Sequence, residues 1–460
     1  MAKPPLLNRR QWLAAAAGMS AATTLPTPAL ADMPEPSRWP ATSSGGPLHK
    51  GQEPGLPQRD YTPVRVPGGA KLDWKIVEGV KVFHLIAEEV EHEFAPGLKA
   101  KCWGYNGHVH GPVIEALEGD RVRVYVSNQL PAPTTVHWHG VFLENGMDGV
   151  GGITQPIIQP GETFRYEWTF RQHGTLMYHP HHDEMTQMAM GMMGMIVVHP
   201  RDIPASERPD RDFVLMLSEW KIDAGASRPD PMAMNDFNLL TMNAKCFPGT
   251  VPLVMKLGDK VRIRLGNLSA MDHHPIHLHG FSFNVVATDG GAIPKSAQWP
   301  ETTVLVPTGS TRDIEFVADA EGDWPMHCHM THHLMNQMGH GLPNVIGVDL
   351  SDLDSRIRKL VPGYMSMGAT GMGEMTEMQM DGPKNSLATD IVRGQYDPIT
   401  MGGMFTLVKV RHTPGENDGD PGWYSHPPET RARMATPEEM TRDGIAEVRQ
   451  VAPTGTGARK

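Results

Sequence analysis

Cysteine is scarce. Three cysteines in 460 residues cannot build a disulfide framework. Positive charge is short as well: 41 Lys and Arg face 52 Asp and Glu, and the net charge of −11 makes nucleic acid a poor partner. No apolar run is long enough to span a bilayer, since residues 12–19 are soon interrupted by Thr and Pro, so stable membrane anchoring is not expected. A sustained helical period is also missing, which excludes a coiled coil or a helix bundle. What the chain does hold is 48 Gly and 41 Pro, a turn-rich composition that favours β architecture. Hydrophobic residues at 39% are enough for a sizeable core, and the length suits two or three domains. Methionine, at 31, is unusually frequent.

The chain opens with an address. Arg9-Arg10 precedes the short apolar stretch, and Ala29-Leu30-Ala31 supplies a small-residue cleavage signal. Residues 1–31 therefore read as a twin-arginine export signal, implying a periplasmic product. Residues 32–71, rich in Pro, Gly and Ser, read as an extended arm. Two similar stretches follow. Gly119-Asp120-Arg121-Val122-Arg123-Val124 returns 139 residues later as Gly258-Asp259-Lys260-Val261-Arg262-Ile263. Residues 122–126, 163–170 and 261–265 alternate polar with apolar groups, the mark of half-buried strands. The expectation is two β-sandwich domains, 72–204 and 205–350, joined by a Pro-rich linker near residues 202–212. In the remaining segment, 351–460, Met365, Met367, Met372, Met375, Met378 and Met380 stand among polar residues with no period to bury them. Residues 401–410 read as a strand returning to the body, and the last 40 as a polar tail.

Chemistry concentrates in four short segments: His137-Trp138-His139-Gly140, His179-Pro180-His181, His274-Pro275-Ile276-His277-Leu278-His279-Gly280, and His327-Cys328-His329 followed by His333 and Met338. They use ten of the 23 histidines. Side chains at i and i+2 of a strand share a face, so each His-x-His directs two imidazoles to one place. Four such pairs could surround a cluster of metal ions. Cys328 points the other way, toward a separate ion. A thiolate, two imidazoles and a weak thioether form the ligand set of a blue-copper electron-transfer site, and Cys328, His274, His333 and Met338 supply it. His108-Val109-His110-Gly111 imitates the first motif but lies in a Gly-rich turn, and is read as a loop. His182 and His332 are read as neighbours of ligands. Cys102 and Cys246 are read as structural, with their pairing open.

The order of these motifs resembles the multicopper oxidase family over residues 72–350. The resemblance implies two cupredoxin-like Greek-key sandwiches and four coppers per functional unit. It gives type 1 copper to His274, Cys328, His333 and Met338, and type 2 copper to His137 and His277. The type 3 pair falls to His139, His179, His181, His279, His327 and His329. Pro180 stands where the first half would need a thiolate, so the chain resembles the two-domain oxidases with blue copper in domain 2. That class implies a homotrimer whose clusters are shared between neighbouring subunits. Asp148 matches the family's carboxylate near type 2 copper, in proton relay or in orienting water. Positions 330–332 lack the second acid that the family often carries.

Such a protein takes electrons singly from a small reductant and passes four to O₂. Thioethers prefer Cu(I), and the Met-rich tail, with residues 401–406, resembles that of periplasmic copper-resistance oxidases. Cu(I) is the favoured reductant, in copper tolerance, with phenols as the laccase-type alternative. Two others remain: a copper nitrite reductase, which Pro180 opposes, and a non-enzymatic copper store. Met185, Met188, Met190, Met192, Met193 and Met195 are read as packing.

Overall fold

The alternation becomes real between Arg121 and Asn128, where Val122, Val124 and Val126 turn inward and the residues between them face outward. This strand is the fifth of twenty in a computed structural model, which describes residues 53–223, 225–335, 345–362, 392–415 and 419–446, with 364, 366, 368, 369 and 371. Residues 1–31, where an export signal is expected, and the Met365–Met380 group lie outside the described residues.

The first eight strands are β1 (Trp74–Val77), β2 (Val80–Ala95), β3 (Leu98–Tyr105), β4 (Ile114–Leu117), β5 (Arg121–Asn128), β6 (Thr163–Thr169), β7 (Gly174–Tyr178) and β8 (Gly194–His199). One sheet runs β1-β2-β5-β6 with β3 beside β2, and the facing sheet runs β4-β8-β7. Between them lie Phe83, Leu85, Val124, Trp138, Tyr178 and Ile196.

The second group repeats the plan, with β9 (Arg211–Trp220), β10 (Leu239–Met242), β11 (Leu253–Lys256), β12 (Lys260–Asn267), β13 (His274–Leu278), β14 (Phe283–Thr288), β15 (Gly291–Ala292), β16 (Trp299–Glu301), β17 (Thr303–Val306), β18 (Ser310–Val317), β19 (Gly322–Cys328) and β20 (Phe405–Arg411). One sheet orders β10-β9-β12-β18-β14-β15, with β16 on β14, and the other β11-β20-β19-β13-β17. The two groups pair alike: β5 lies parallel to β2 and antiparallel to β6, as β12 lies to β9 and β18. The fold is all-β, two cupredoxin-like sandwiches. The strand expected at residues 401–410 forms as β20 between β11 and β19, so residues beyond 350 complete the second sandwich.

The sandwiches share an apolar layer in which Met177, Met193, Met195 and Val197 meet Val214, Met216 and Leu268. Here the alternation expected of residues 261–265 fails at Arg264, which is fully buried. Its guanidinium donates to both carboxylate oxygens of Asp212 at 2.8 Å, to Asp313 at 3.1 Å and to Thr175 Oγ1 at 2.8 Å. Thr175 belongs to the first sandwich, so this buried cluster fastens β7, and the His179 that follows it, to β12 and β18. Packing of one sandwich on another buried a face that the strand pattern alone assigns to solvent.

Candidate metal centre

β13 begins at His274 and β19 ends at Cys328, and the two strands pair antiparallel with Ile276 opposite Cys328 and His277 opposite His327. Cys328 joins the core of the second sandwich with Ile276 and Met326, while His277 stays at the rim. The i, i+2 argument holds: the cysteine and its flanking histidines serve opposite sides.

On the inner side Cys328 Sγ lies 3.5 Å from His333 Nδ1 and 3.8 Å from His274 Nδ1, and the two nitrogens are 3.2 Å apart. A point about 2.0 Å from all three atoms exists at their centre, a metal–nitrogen bond length. All three residues are buried. Ser269 Oγ sits 2.6 Å from His274 Nε2, which fixes the tautomer that leaves Nδ1 free for an ion. Burial pushes the His274 imidazole down to about 3, with His333 adding to the effect, so the ring is neutral. Burial also pushes the Cys328 thiol up to about 12, so an ion binding here must displace its proton. Thiolate and imidazole donors in a dry pocket fit copper. Met338 lies outside the described residues.

The other eight histidines form two quartets. In the first, His137 pairs with His179 across a β-bridge, and the ring contacts among His137, His139, His179 and His181 span 5.4–6.3 Å. In the second, the contacts among His277, His279, His327 and His329 span 4.8–5.7 Å. The orienting bonds repeat. His137 Nδ1 bonds to the Asp148 carbonyl at 2.7 Å, His179 to Pro180 at 2.9 Å, His277 to Thr302 at 2.7 Å and His327 to Cys328 at 2.9 Å. Each Nδ1–H is thereby spent on a carbonyl, which leaves Nε2 as the ligand atom. His139 is reversed: it bonds to the Gly309 backbone and brings Nδ1 within 3.2 Å of His179 Nε2. Burial holds His179 down to about 3.

Asp148 reaches His137 chiefly through its backbone, with its carboxylate 3.4 Å from the same nitrogen. The turn depends on Gly149, at φ +86°, where a Cβ would lie 1.8 Å from the Val136 carbonyl oxygen. Among the described residues no ring of one quartet touches a ring of the other. His110 joins neither, being buried against Trp220 with Nε2 2.9 Å from Ser218 Oγ. Cys102 and Cys246 are both buried and unpaired as disulfides.

Sequence reasoning missed Glu219, Ser269, Asp272 and Gly309. A carboxylate inside the apolar run of β9 was the signal for Glu219, and proximity to His274 the signal for Ser269 and Asp272. Glu219 Oε1 accepts from the backbone N–H of Met271 at 2.6 Å and of Asp272 at 3.2 Å. Its Oε2 is buried with no partner, as is Asp272 Oδ2. Asp272 Oδ2 stands 3.4 Å from His333 Nε2, longer than a formed hydrogen bond. Glu219 borders a cavity of about 460 Å³ that Met185, Met188, Met193, Met234 and Met271 also line, with His139 and His179 on its wall. Of the methionines expected to pack, Met190, Met192, Met193 and Met195 are buried, whereas Met185 is exposed and Met188 half-buried.

Sequence models of the family described as multicopper oxidase match residues 87–203 and 223–346, about half of the chain. The chain belongs to the multicopper oxidase family. This multicopper oxidase is 30% identical to copper resistance protein A of Escherichia coli over 242 residues, covering 42% of the chain and 40% of that protein. It is 33% identical to laccase-1 of Botryotinia fuckeliana over 242 residues, covering 49% and 41%. It spans about two fifths of the length of these curated relatives. Among solved structures, the blue copper oxidase from Nitrosomonas europaea aligns with a TM-score of 0.54 at 25% identity, over 80% of this chain and 95% of that one. Multicopper oxidase mgLAC aligns at 0.53 and 28%, over 75% and 96%.

Proposed function

We propose that the protein is an exported copper-dependent oxidase that takes electrons from Cu(I) and delivers them to O₂, in copper tolerance. Bound copper would supply one-electron exchange at the Cys328 site and multi-electron reduction of O₂ to water at the histidine clusters. His274, Cys328 and His333 would hold type 1 copper, with a thioether. His137 and His277 would hold type 2, and His139, His179, His181, His279, His327 and His329 the type 3 pair. His327 and His329 adjoin Cys328 in the chain, which makes the backbone the shortest link between the sites. Asp148 would hold or pass a proton near His137. Because the quartets do not touch within one chain, each cluster would be completed by a neighbouring copy, as a homotrimer allows. The Arg9-Arg10 signal supports twin-arginine export to the periplasm.

The observation that carries the choice of reductant is the methionine-lined cavity with Glu219, whose Oε2 is buried and unpartnered, on its wall. Soft thioethers suit Cu(I), and the buried Glu219 beside the part-exposed Asp272 needs a proton or a cation. Burial, reinforced by Asp272, pushes the Glu219 carboxyl up to about 8. An arriving cation would displace that proton. Phenols, the laccase-type donors, are the second reading, favoured by the apolar walls of Trp220, Phe237 and Leu268.

Metal analysis with an absorption spectrum, followed by oxygen uptake on Cu(I) and on a phenol, tests the proposal. Four coppers per chain, an intense thiolate-to-copper band and faster uptake on Cu(I) are expected. Zinc alone, or copper without oxygen uptake, refutes it and leaves a storage protein.

A further inference from the structure

Met404 lies about seventy residues beyond His333, past the Met-rich segment, yet it returns to the Cys328 site. The Cys328 backbone N–H donates to the Met404 carbonyl at 3.0 Å, and the Met404 N–H donates to the His333 carbonyl at 3.2 Å. One step earlier, the Gly402 N–H donates to the Leu334 carbonyl at 2.7 Å. β19 and β20 run antiparallel with His327 opposite Phe405, so the next pair outward sets Cys328 opposite Met404. Residues directly opposed in this way project to one face, with Cβ atoms about 5 Å apart. The neighbouring pair obeys the rule, since the His327 and Phe405 rings stack on the other face at 6.4 Å. The Met404 side chain is completely buried, in the same apolar cluster as Cys328.

The face that Met404 shares with Cys328 is the one where His274 Nδ1 and His333 Nδ1 converge on Sγ. We propose that Met404, in the place that spacing gives to Met338, supplies the thioether of this three-donor site. The inference rests on the blue-copper reading of Cys328. Met326 also lies on this face, but two residues along the strand, roughly 6.6 Å away. Met330 is exposed. A thioether is the weak fourth ligand of such sites, and its replacement tunes the potential. It follows that the chain between Leu334 and Met401 is an insertion between the third and fourth ligands. The site is complete only when β20 occupies its place beside β19.

The test uses the copper-loaded full-length protein and three variants: Met404→Gln, Met404→Leu and Met338→Leu. Redox titration of the thiolate band is the readout. An oxygen donor favours Cu(II), so Met404→Gln should lower the potential; loss of any donor should raise it in Met404→Leu. Met338→Leu should leave it at the wild-type value. The inference is overturned if Met338→Leu shifts the potential, or if both Met404 variants shift it in the same direction or not at all. Should the Met404 variants fail to fold, NMR of methyl-labelled methionine in the Met338→Leu protein decides. A methyl signal displaced on oxidation of the copper must persist there, and its disappearance refutes the assignment. A wild-type protein that lacks the thiolate band removes the blue-copper reading itself, whereas a band present but indifferent to Met404 removes only this inference.

Discussion

Copies of the chain disabled in opposite halves should rescue one another. One variant carries His139→Ala with His179→Ala, which destroys the first quartet and leaves Cys328 and the second quartet intact. The other carries His279→Ala with His327→Ala, which does the reverse. Each alone should show only background oxygen uptake. The rings of the two quartets make no contact within a chain, so on the proposed function a complete cluster joins the first quartet of one copy to the second quartet of the next. In a closed ring assembled at random from equal amounts, half the copies offer an intact first quartet and half an intact second one. About one quarter of the junctions are then whole, whatever the number of subunits. Co-expression with two affinity tags, gel filtration of the doubly tagged species and oxygen-electrode rates per chain give the measurement. Selecting the doubly tagged species removes rings of a single variant, so in a trimer every selected ring keeps one whole junction in three, and a value near one third of wild type is expected. Uptake no higher than that of the two parents would refute shared clusters.

Further expectations concern the reductant and the scaffold. Glu219→Gln should lower kcat/KM for Cu(I) about tenfold, equivalent to about 1.4 kcal/mol of lost transition-state stabilisation, with phenol oxidation little altered. Deletion of residues 365–380 should slow Cu(I) oxidation alone; equal losses on both donors would deny the segment a role in copper capture. Arg264→Met leaves Asp212 and Asp313 buried without their cation and should cost about 3–5 kcal/mol in urea denaturation. Acid should weaken the metal-free protein through two rings outside the metal sites. Burial holds His110 down to about 3 and His92 down to about 4. Between those values and the ordinary histidine range the unfolded chain binds more protons, so stability falls as pH drops. From pH 7 to pH 5 the loss should be about 2 kcal/mol for each ring. A urea midpoint unchanged over that interval would contradict it.

The sequence by itself determined the strands and the pairing of histidines two residues apart around Cys328 and in the other motifs, because each property is local. Period-two burial and i, i+2 ligand pairs depend only on backbone geometry, which a few neighbouring residues set. The return of residues 401–410 was legible for the same reason, as an apolar run closing a polar segment. Tertiary structure decided what depends on residues far apart in the chain. It buried Arg264, because the first sandwich brought Thr175 over it. It turned Met185 and Met188 toward a cavity while Met192 and Met195 packed, because the second sandwich covers only part of their surface. Likewise it set Glu219 against Asp272, and Met404 against Cys328, through strand register that no spacing records. Local patterns name the donors; the register of distant strands chooses which of them meet.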